Sequence, residues 1–241
     1  MKNYKLHIHL LKRSPILLME EIIRKYKHTI VCTVILFLLS FMGIFMVFLR
    51  YAYTERAEFL YLIWNLFLSW IPLVVSTIMA YIYSTGIKGK LIFILPLGVI
   101  WLLFYPNAPY MITDFIHFRD NYTLLIWYDL VIYTTFIFTS YLLGFVSIFH
   151  IKRIVAKMTN SFISWIFMIF VLFLSSYAIY IGRFIRLNSW DAIFNPAYIV
   201  NVFLNNINKF SIVFSLIYGS LLTLTYTFLY SLTYLKLEKI D

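Results

Sequence analysis

Long apolar runs, separated by short clusters of charged residues, make up most of this sequence. A helix that crosses a bilayer needs about 20 mostly apolar residues. Six stretches come close to or exceed that length, and they are Thr29 to Leu49, a part of Phe59 to Ile87, Leu91 to about Tyr105, Thr123 to Phe149, Ser161 to Gly182 and Phe210 to Leu235. The pattern predicts an all-α fold, a six-helix transmembrane bundle.

The composition excludes a soluble globule as well as several kinds of chemistry. With 63% hydrophobic and only 12% charged residues, the chain has too few polar side chains to cover a water-exposed surface. Cys32 is the single cysteine, so there is no disulfide framework and no pair of thiolates for a metal cluster. The first apolar run begins too far from Met1 for a cleaved signal peptide, and we expect it to remain as an anchor.

The charge distribution predicts the orientation in the membrane. Fourteen of the 20 Lys and Arg residues fall on one side of the predicted spans, whereas the other side holds six basic and six acidic residues. Loops rich in Lys and Arg stay in the cytoplasm. We therefore expect cytoplasmic N- and C-termini in a multi-pass protein of the cell (plasma) membrane. The net charge of +10 reports this orientation and does not indicate a nucleic acid as partner.

The N-terminal residues 1–28 form a basic segment that differs from the rest. Ser14-Pro15, followed by Glu20-Glu21, is typical of a helix start. Apolar residues are mixed with basic ones in this segment, so we expect a short, basic, amphipathic helix on the cytoplasmic membrane surface. Residues 29–241 are predicted to form a single six-span domain.

Polar residues inside the spans gather in the predicted extracytoplasmic half. Such residues are costly in lipid unless they pair or face a polar interior. They are Asn65, Asn107, Asp114, His117, Asp129, Arg183, Arg186 and Asp191. Pro106 and Pro109 forbid a regular helix before Asp114, so we expect the chain to turn there.

Two of these pairs have a spacing of three, Asp114 with His117 and Arg183 with Arg186, so each pair would share a helix face. The functional hypothesis is an enzyme at the outer leaflet that acts on a lipid or a lipid-linked anionic substrate by acyl or phosphoryl-linked transfer. Two arginines suit a phosphate or carboxylate. His117 would be base or nucleophile, and Asp114 would orient it. Asp129 joins these two as a catalytic candidate, and the substrate-binding candidates are Arg183, Arg186, Asn65, Asn107 and Asp191.

The alternative is structural. Arg183 could neutralise Asp129 in a buried ion pair that positions two helices. The protein would then be a non-enzymatic membrane binding, transport or assembly protein. Histidine and cysteine are too few near the cluster to indicate a metal site, and no cofactor is predicted. The expected partners are membrane lipids.

Two further features bear on the cluster. The segment from Asn195 to Lys209 has a helical pattern after Pro196, and it could cap the outer site. The hydroxyl residues within the second and fifth spans are expected to bond their own helix backbone or pack against neighbours rather than act as nucleophiles. These residues are Ser69, Ser76, Thr77, Ser175 and Ser176.

Four motifs carry a resemblance to a known family. They are Trp64-Asn65-Leu66 with Trp70-Ile71-Pro72, Pro106-Asn107-Ala108-Pro109-Tyr110 leading to Asp114 and His117, Trp127-Tyr128-Asp129, and Gly182-Arg183-Phe184 leading to Asn188-Ser189-Trp190-Asp191. In this order they resemble domain-of-unknown-function family 1361, a group of small bacterial polytopic membrane proteins. The resemblance implies a membrane location and brings no established reaction.

Overall fold

The computed structural model describes residues 15–85, 89–120, 126–187 and 189–233, with side chains for all of these except residues 15–26, 28, 117–120, 192 and 193. The described elements are α1 Pro15–Thr54, α2 Leu60–Ser84, α3 Leu91–Phe104, α4 Asn107–Tyr110, a 3₁₀ helix Met111–Asp120, α5 Ile126–Met158, α6 Ser161–Tyr180, a π-helical turn Ile181–Ile185, α7 Asp191–Phe194, α8 Pro196–Asn205 and α9 Lys209–Leu232. This part of the chain contains no strand, which confirms the all-α prediction.

Six described segments are long and apolar enough to cross a membrane, as predicted. They are Thr29–Thr54, Leu60–Ser84, Leu91–Ile116, Ile126–Met158, Ser161–Ile185 and Lys209–Leu232. The fourth continues beyond its predicted end at Phe149. Lys152 lies in that extension, and two aromatic rings, Trp165 and Tyr230, lie 4.2 and 4.0 Å from its Nζ. Aromatic faces stabilise a buried cation, so the helix can continue through this position.

The helix that contains the first span is longer than predicted. It begins at Pro15, the expected start, but it runs for 40 residues to Thr54. At 1.5 Å per residue its length is roughly 60 Å. The expected short length is therefore wrong, because the backbone of the described part of residues 1–28 joins the first span without a break, whereas the location on the membrane surface stays a prediction.

The long helix α5 lies at the centre of the bundle. It packs against α1, α2 and α6, while α3 packs on α2 and α9 packs on α6. Buried apolar residues form two main clusters along it. The first is centred on Trp101, Ile148, Met168 and Leu222, and the second on Leu62, Met111, Ile132 and Leu143.

Pro106 and Pro109 of the third span interrupt the regular helix, as predicted, whereas Pro96 lies inside α3. α3 ends at Phe104, the single turn α4 follows, and the 3₁₀ helix begins at Met111. Proline lacks an N–H group and cannot continue the α-helical bonding pattern. The backbone carbonyls of α4 are instead bonded by hydroxyl groups from three other helices. Ser69 of α2, Ser140 of α5 and Tyr218 of α9 donate to the carbonyls of Asn107, Ala108 and Pro109 at 3.2, 2.7 and 2.7 Å.

A glycine allows α5 to approach this turn. A Cβ atom at Gly144 would lie 2.9 Å from the Cβ of Ala108, which is closer than such atoms approach. The small side chains at this contact therefore bring α5 within hydrogen-bonding distance of α4. In this way the proline turn, defined here as residues 105–111, is fixed against the centre of the bundle.

Candidate functional site

A cavity of about 650 Å³ lies between α2, α3, the proline turn, α6 and α8. Its volume falls within the usual range for small-molecule sites, about 300–1,000 Å³. Most of its lining is apolar, with Leu102 and Leu103 on one wall and Leu174 and Ala178 on another. Its polar lining residues are Asn65, Asn107, Ser175, Arg183, Arg186 and Ser189.

Arg183 is held in place by three side chains. Its Nε and Nη2 atoms donate to the Oγ1 of Thr113 at 2.8 and 2.6 Å. Nη2 also forms an ion pair with Oδ1 of Asp114, and the guanidinium carbon lies 4.4 Å from the ring centre of Tyr110. The Arg183 side chain is 10% exposed. It therefore lies at the cavity wall in one defined orientation.

Asp114 is buried, with 1% of its surface exposed, and both carboxylate oxygens have partners. Oδ1 pairs with Arg183, and Oδ2 accepts a hydrogen bond of 3.1 Å from Nδ2 of Asn65. The structure thus joins α2, the 3₁₀ helix and the π-helical turn through one carboxylate. The expected contact between Asp114 and His117 stays a prediction, because the side chain of His117 lies outside the described residues. Its backbone lies in the 3₁₀ helix.

Arg186 lies at the point where the helical path of α6 ends. Five residues of π-helix follow α6, and Arg186 then adopts a left-handed conformation with φ of +63°. This conformation is uncommon outside glycine and ends a helix. The expected shared helix face of Arg183 and Arg186 is therefore wrong. Both residues nevertheless line the cavity, and Arg186 is exposed and has no acidic or hydrogen-bonding partner among the described side chains.

Asn107 links the proline turn to the segment that precedes α7. Its Nδ2 donates to the carbonyl of Phe104 at 2.9 Å and to Oγ of Ser189 at 3.0 Å. Next to Ser189, the ring of Trp190 lies 5.9 Å from that of Trp64, in an edge-to-face arrangement. Asp191, the first residue of α7, is partly buried and does not belong to the cavity lining formed by the described residues.

Asp129 forms a second, separate ion pair. Nε and Nη2 of Arg50 bond its two carboxylate oxygens at 2.5 and 3.2 Å, and the side chains are 1% and 2% exposed. Glu58 lies 3.4 Å from the same Nη2, and the Phe59 ring centre lies 3.9 Å from the guanidinium carbon. The charge of Asp129 is therefore compensated by a buried ion pair, as the structural alternative predicted. The predicted partner, Arg183, was wrong, because the partner is Arg50. Among the described residues, neither Arg50 nor Asp129 lines the cavity.

The segment that follows Pro196 covers one side of the cavity, as the sequence predicted. α8 begins at Pro196, with Asn195 as its N-cap, and two residues of this helix, Ile199 and Phe203, line the cavity. The carbonyl of Phe203 accepts a hydrogen bond of 2.6 Å from the hydroxyl of Tyr177, which anchors α8 on α6.

Four of the five hydroxyl residues singled out in the second and fifth spans bond their own helix backbone, and the fifth, Ser175, is buried among its neighbours. Ser69, Thr77 and Ser176 donate to the carbonyl four residues earlier, and Ser76 donates to the carbonyl three residues earlier. The side-chain oxygen of Ser175 is buried and has no hydrogen-bond partner in the described part of the chain, although Ser175 lines the cavity. The sequence offered no signal that separates Ser175 from its neighbour Ser176.

The chain can also be compared with curated proteins, solved structures and family models. No curated protein and no solved structure matches the chain. One family model matches residues 64–225, a range that runs from α2 into α9 and includes the whole cavity lining and Asp129, but leaves out Arg50. The description of that family is "Protein of unknown function (DUF1361)".

Proposed function

This chain belongs to the DUF1361 family, and we propose that it is a membrane protein that binds an anionic, lipid-like molecule in the cavity next to Arg186. One observation carries the proposal. A largely apolar cavity holds a cationic side chain that has no acidic partner among the described residues.

The cationic end of the cavity suits a phosphate or a carboxylate. The charge of Arg183 is compensated by Asp114, so Arg186 supplies the remaining positive charge. A guanidinium group offers several N–H donors in one plane and binds such anions through two parallel hydrogen bonds. Asn65, Asn107 and Ser189 add uncharged polar groups to the cavity lining.

The apolar walls suit a hydrocarbon chain. α3 and α6 supply facing walls, and the outer surfaces of the same two helices carry exposed apolar residues. These are Leu95 and Val99 on α3, and Ile166 and Phe170 on α6. In a membrane these surfaces contact hydrocarbon, because water is absent at that depth. A molecule with an anionic head and an apolar tail would therefore match both the cavity and its surroundings.

The cavity faces the extracytoplasmic side of the plasma membrane in this proposal. Support comes from the uneven distribution of Lys and Arg, which favours cytoplasmic termini. In the structure the cavity lies at the end of α6 opposite its start at Ser161, and Lys152, Arg153 and Lys157 precede that start.

Substitution of Arg186 tests the proposal. Arg186→Ala is expected to weaken binding of phosphatidylglycerol about 10-fold or more, because a hydrogen bond to a charged group contributes about 1.5–3 kcal/mol. The melting temperature should not change, since Arg186 is exposed and has no partner among the described residues. The measurement is ligand-dependent thermal stabilisation of the protein in detergent, with phosphatidylcholine as the zwitterionic comparison.

Arg56 provides the matched control. Its side chain is 60% exposed and lies outside the cavity lining that the described residues form. Arg56→Ala should bind phosphatidylglycerol like the unmodified protein. Equal stabilisation of Arg186→Ala and the unmodified protein by phosphatidylglycerol would overturn the proposal.

Transfer chemistry at His117 is a second candidate function. Support comes from the 3₁₀ helix that contains Asp114 and His117, because residues three apart in such a helix lie directly above one another. The preceding residue, Ile116, lines the cavity. An imidazole at that position could act as base or nucleophile in acyl or phosphoryl-linked transfer to or from the bound lipid.

His117→Ala separates the two candidate functions. If the protein is an enzyme, lipid conversion should fall by about 100-fold or more, while binding of phosphatidylglycerol persists. The purified protein would be reconstituted with phosphatidylglycerol and phosphatidylethanolamine, and the lipids followed by mass spectrometry. His150→Ala is the control, because His150 contacts Ser76 of α2 rather than the cavity. Unchanged conversion in His117→Ala would exclude catalysis by this residue.

A further inference from the structure

Ser175 is a buried polar group in the wall of the cavity. Only 1% of its surface is exposed, and its Oγ atom has no hydrogen-bond partner among the described residues. An unsatisfied hydroxyl in an apolar environment costs free energy, roughly 1–3 kcal/mol in proteins. The next residue, Ser176, avoids this cost by donating to the carbonyl of Leu172 at 2.8 Å. Of the two adjacent serines, Ser175 therefore lines the cavity with an unsatisfied hydroxyl, whereas the hydroxyl of Ser176 is satisfied by its own helix.

Ser175 lies far from the cationic end. It precedes Arg186 by eleven residues, and the first eight of these, to Arg183, span roughly 12 Å along the helix axis. The lining residues around it are apolar, with Leu174, Ala178 and Ile179 on its own helix. The polar groups that would hold an anionic head are therefore well separated from this hydroxyl.

We infer that the molecule bound in the cavity places a second hydrogen-bonding group at Ser175, below its anionic head, and is an ester-linked anionic glycerolipid. This inference rests on the proposed function. Below the phosphate, a glycerolipid has ester carbonyl groups that accept hydrogen bonds, and its acyl chains continue beyond them. Below its phosphate, a polyprenyl phosphate has only hydrocarbon. The hydroxyl of Ser175 would match the first class and would remain unsatisfied with the second.

Comparison of two lipids with the same head tests the inference without any substitution. The unmodified protein is expected to bind ester-linked phosphatidylglycerol about 2- to 10-fold more tightly than its ether-linked analogue, which lacks the carbonyl groups. Ser175→Ala should bind both lipids equally, at the weaker affinity. Ser176→Ala is the matched control and should keep the preference, since it removes a neighbouring hydroxyl that is not part of the cavity lining.

The outcomes separate this inference from the proposed function. If the unmodified protein binds both lipids equally and Arg186→Ala binds neither well, the proposed function stands and the role of Ser175 is overturned. Tighter binding of a polyprenyl phosphate than of phosphatidylglycerol would also overturn it. If the unmodified protein binds none of the three anionic lipids, the proposed function itself fails.

Discussion

Arg50→Met is expected to lower the free energy of unfolding by about 3–5 kcal/mol, because it removes the guanidinium group that bonds both oxygens of the buried Asp129 carboxylate. Both members of this pair are almost fully buried, and two hydrogen bonds join them. Inside a membrane protein the low dielectric makes an uncompensated charge especially costly. The measurement is the unfolding midpoint in a mixed micelle with increasing sodium dodecyl sulfate, together with the amount of protein in the membrane.

A double variant and an exposed arginine serve as controls. Arg50→Met combined with Asp129→Leu should recover most of the lost stability, since a buried ion pair can be replaced by apolar side chains of similar volume. Arg56→Gln, a few residues away, should change stability by less than about 1 kcal/mol, because the contact of Arg56 with Glu58 is an exposed one of 3.6 Å. A stable Arg50→Met protein would show that the pair does not hold α1 against α5.

Arg183→Ala is expected to reduce both stability and ligand binding. Removing the guanidinium group leaves Asp114 buried, with Asn65 as its remaining described partner, and the expected loss is about 3–5 kcal/mol. Binding of phosphatidylglycerol should fall as well, because the negative charge of Asp114 loses its compensating arginine next to the cavity wall. Unfolding and lipid binding are measured on the same preparation.

Neutralisation of the correct acid should restore both the fold and lipid binding. Arg183→Ala with Asp114→Asn removes the buried charge and keeps an oxygen that accepts from Asn65, so stability should return, and lipid binding should return with it because Arg186 still supplies the positive charge. Arg183→Ala with Asp129→Asn should be no more stable than the single variant, because Asp129 is paired with Arg50. Rescue by the second combination would contradict the observed pairing.

The membrane spans could be predicted because a bilayer imposes a length and an apolar composition that are visible in the sequence. The breaks at Pro106 and Pro109 were equally visible, since two prolines three residues apart interrupt a regular helix, whereas the single prolines Pro72 and Pro96 lie inside α2 and α3. The start of α1 at Pro15 followed from local chemistry too. Its continuation into the first span did not, because an amphipathic pattern does not show whether a helix ends.

The partners of the charged residues could not be predicted. Arg50 and Asp129 are 79 residues apart, and their contact depends on how α1 packs against α5. The sequence suggested Arg183 for Asp129 because both were assigned to the same side of the membrane, but several acids met that condition. Likewise, the spacing of Arg183 and Arg186 implied a common helix face, which the π-helical turn and the left-handed Arg186 remove.

Ser175 shows a different limit. Two adjacent serines on α6 have the same residue type and nearly the same depth, yet only Ser176 bonds the backbone of its own helix in the described structure. Which of the two meets a cavity depends on the rotation of α6 relative to α3, and the sequence does not determine that rotation. The lining of the cavity was therefore predictable only where charged or amide side chains indicated it.

The hydroxyl bonds at the proline turn also set an order for biogenesis. Ser69 leaves the ribosome before the turn, whereas Ser140 and Tyr218 follow it by 32 and 109 residues relative to their acceptors. Because synthesis proceeds from the N-terminus, the carbonyl of Pro109 can accept its hydrogen bond from the hydroxyl of Tyr218 only once α9 has been made. A nascent chain that stops before α9 therefore contains every cavity-lining residue but not the contact that completes the turn, and premature termination there should produce a substrate for membrane quality control.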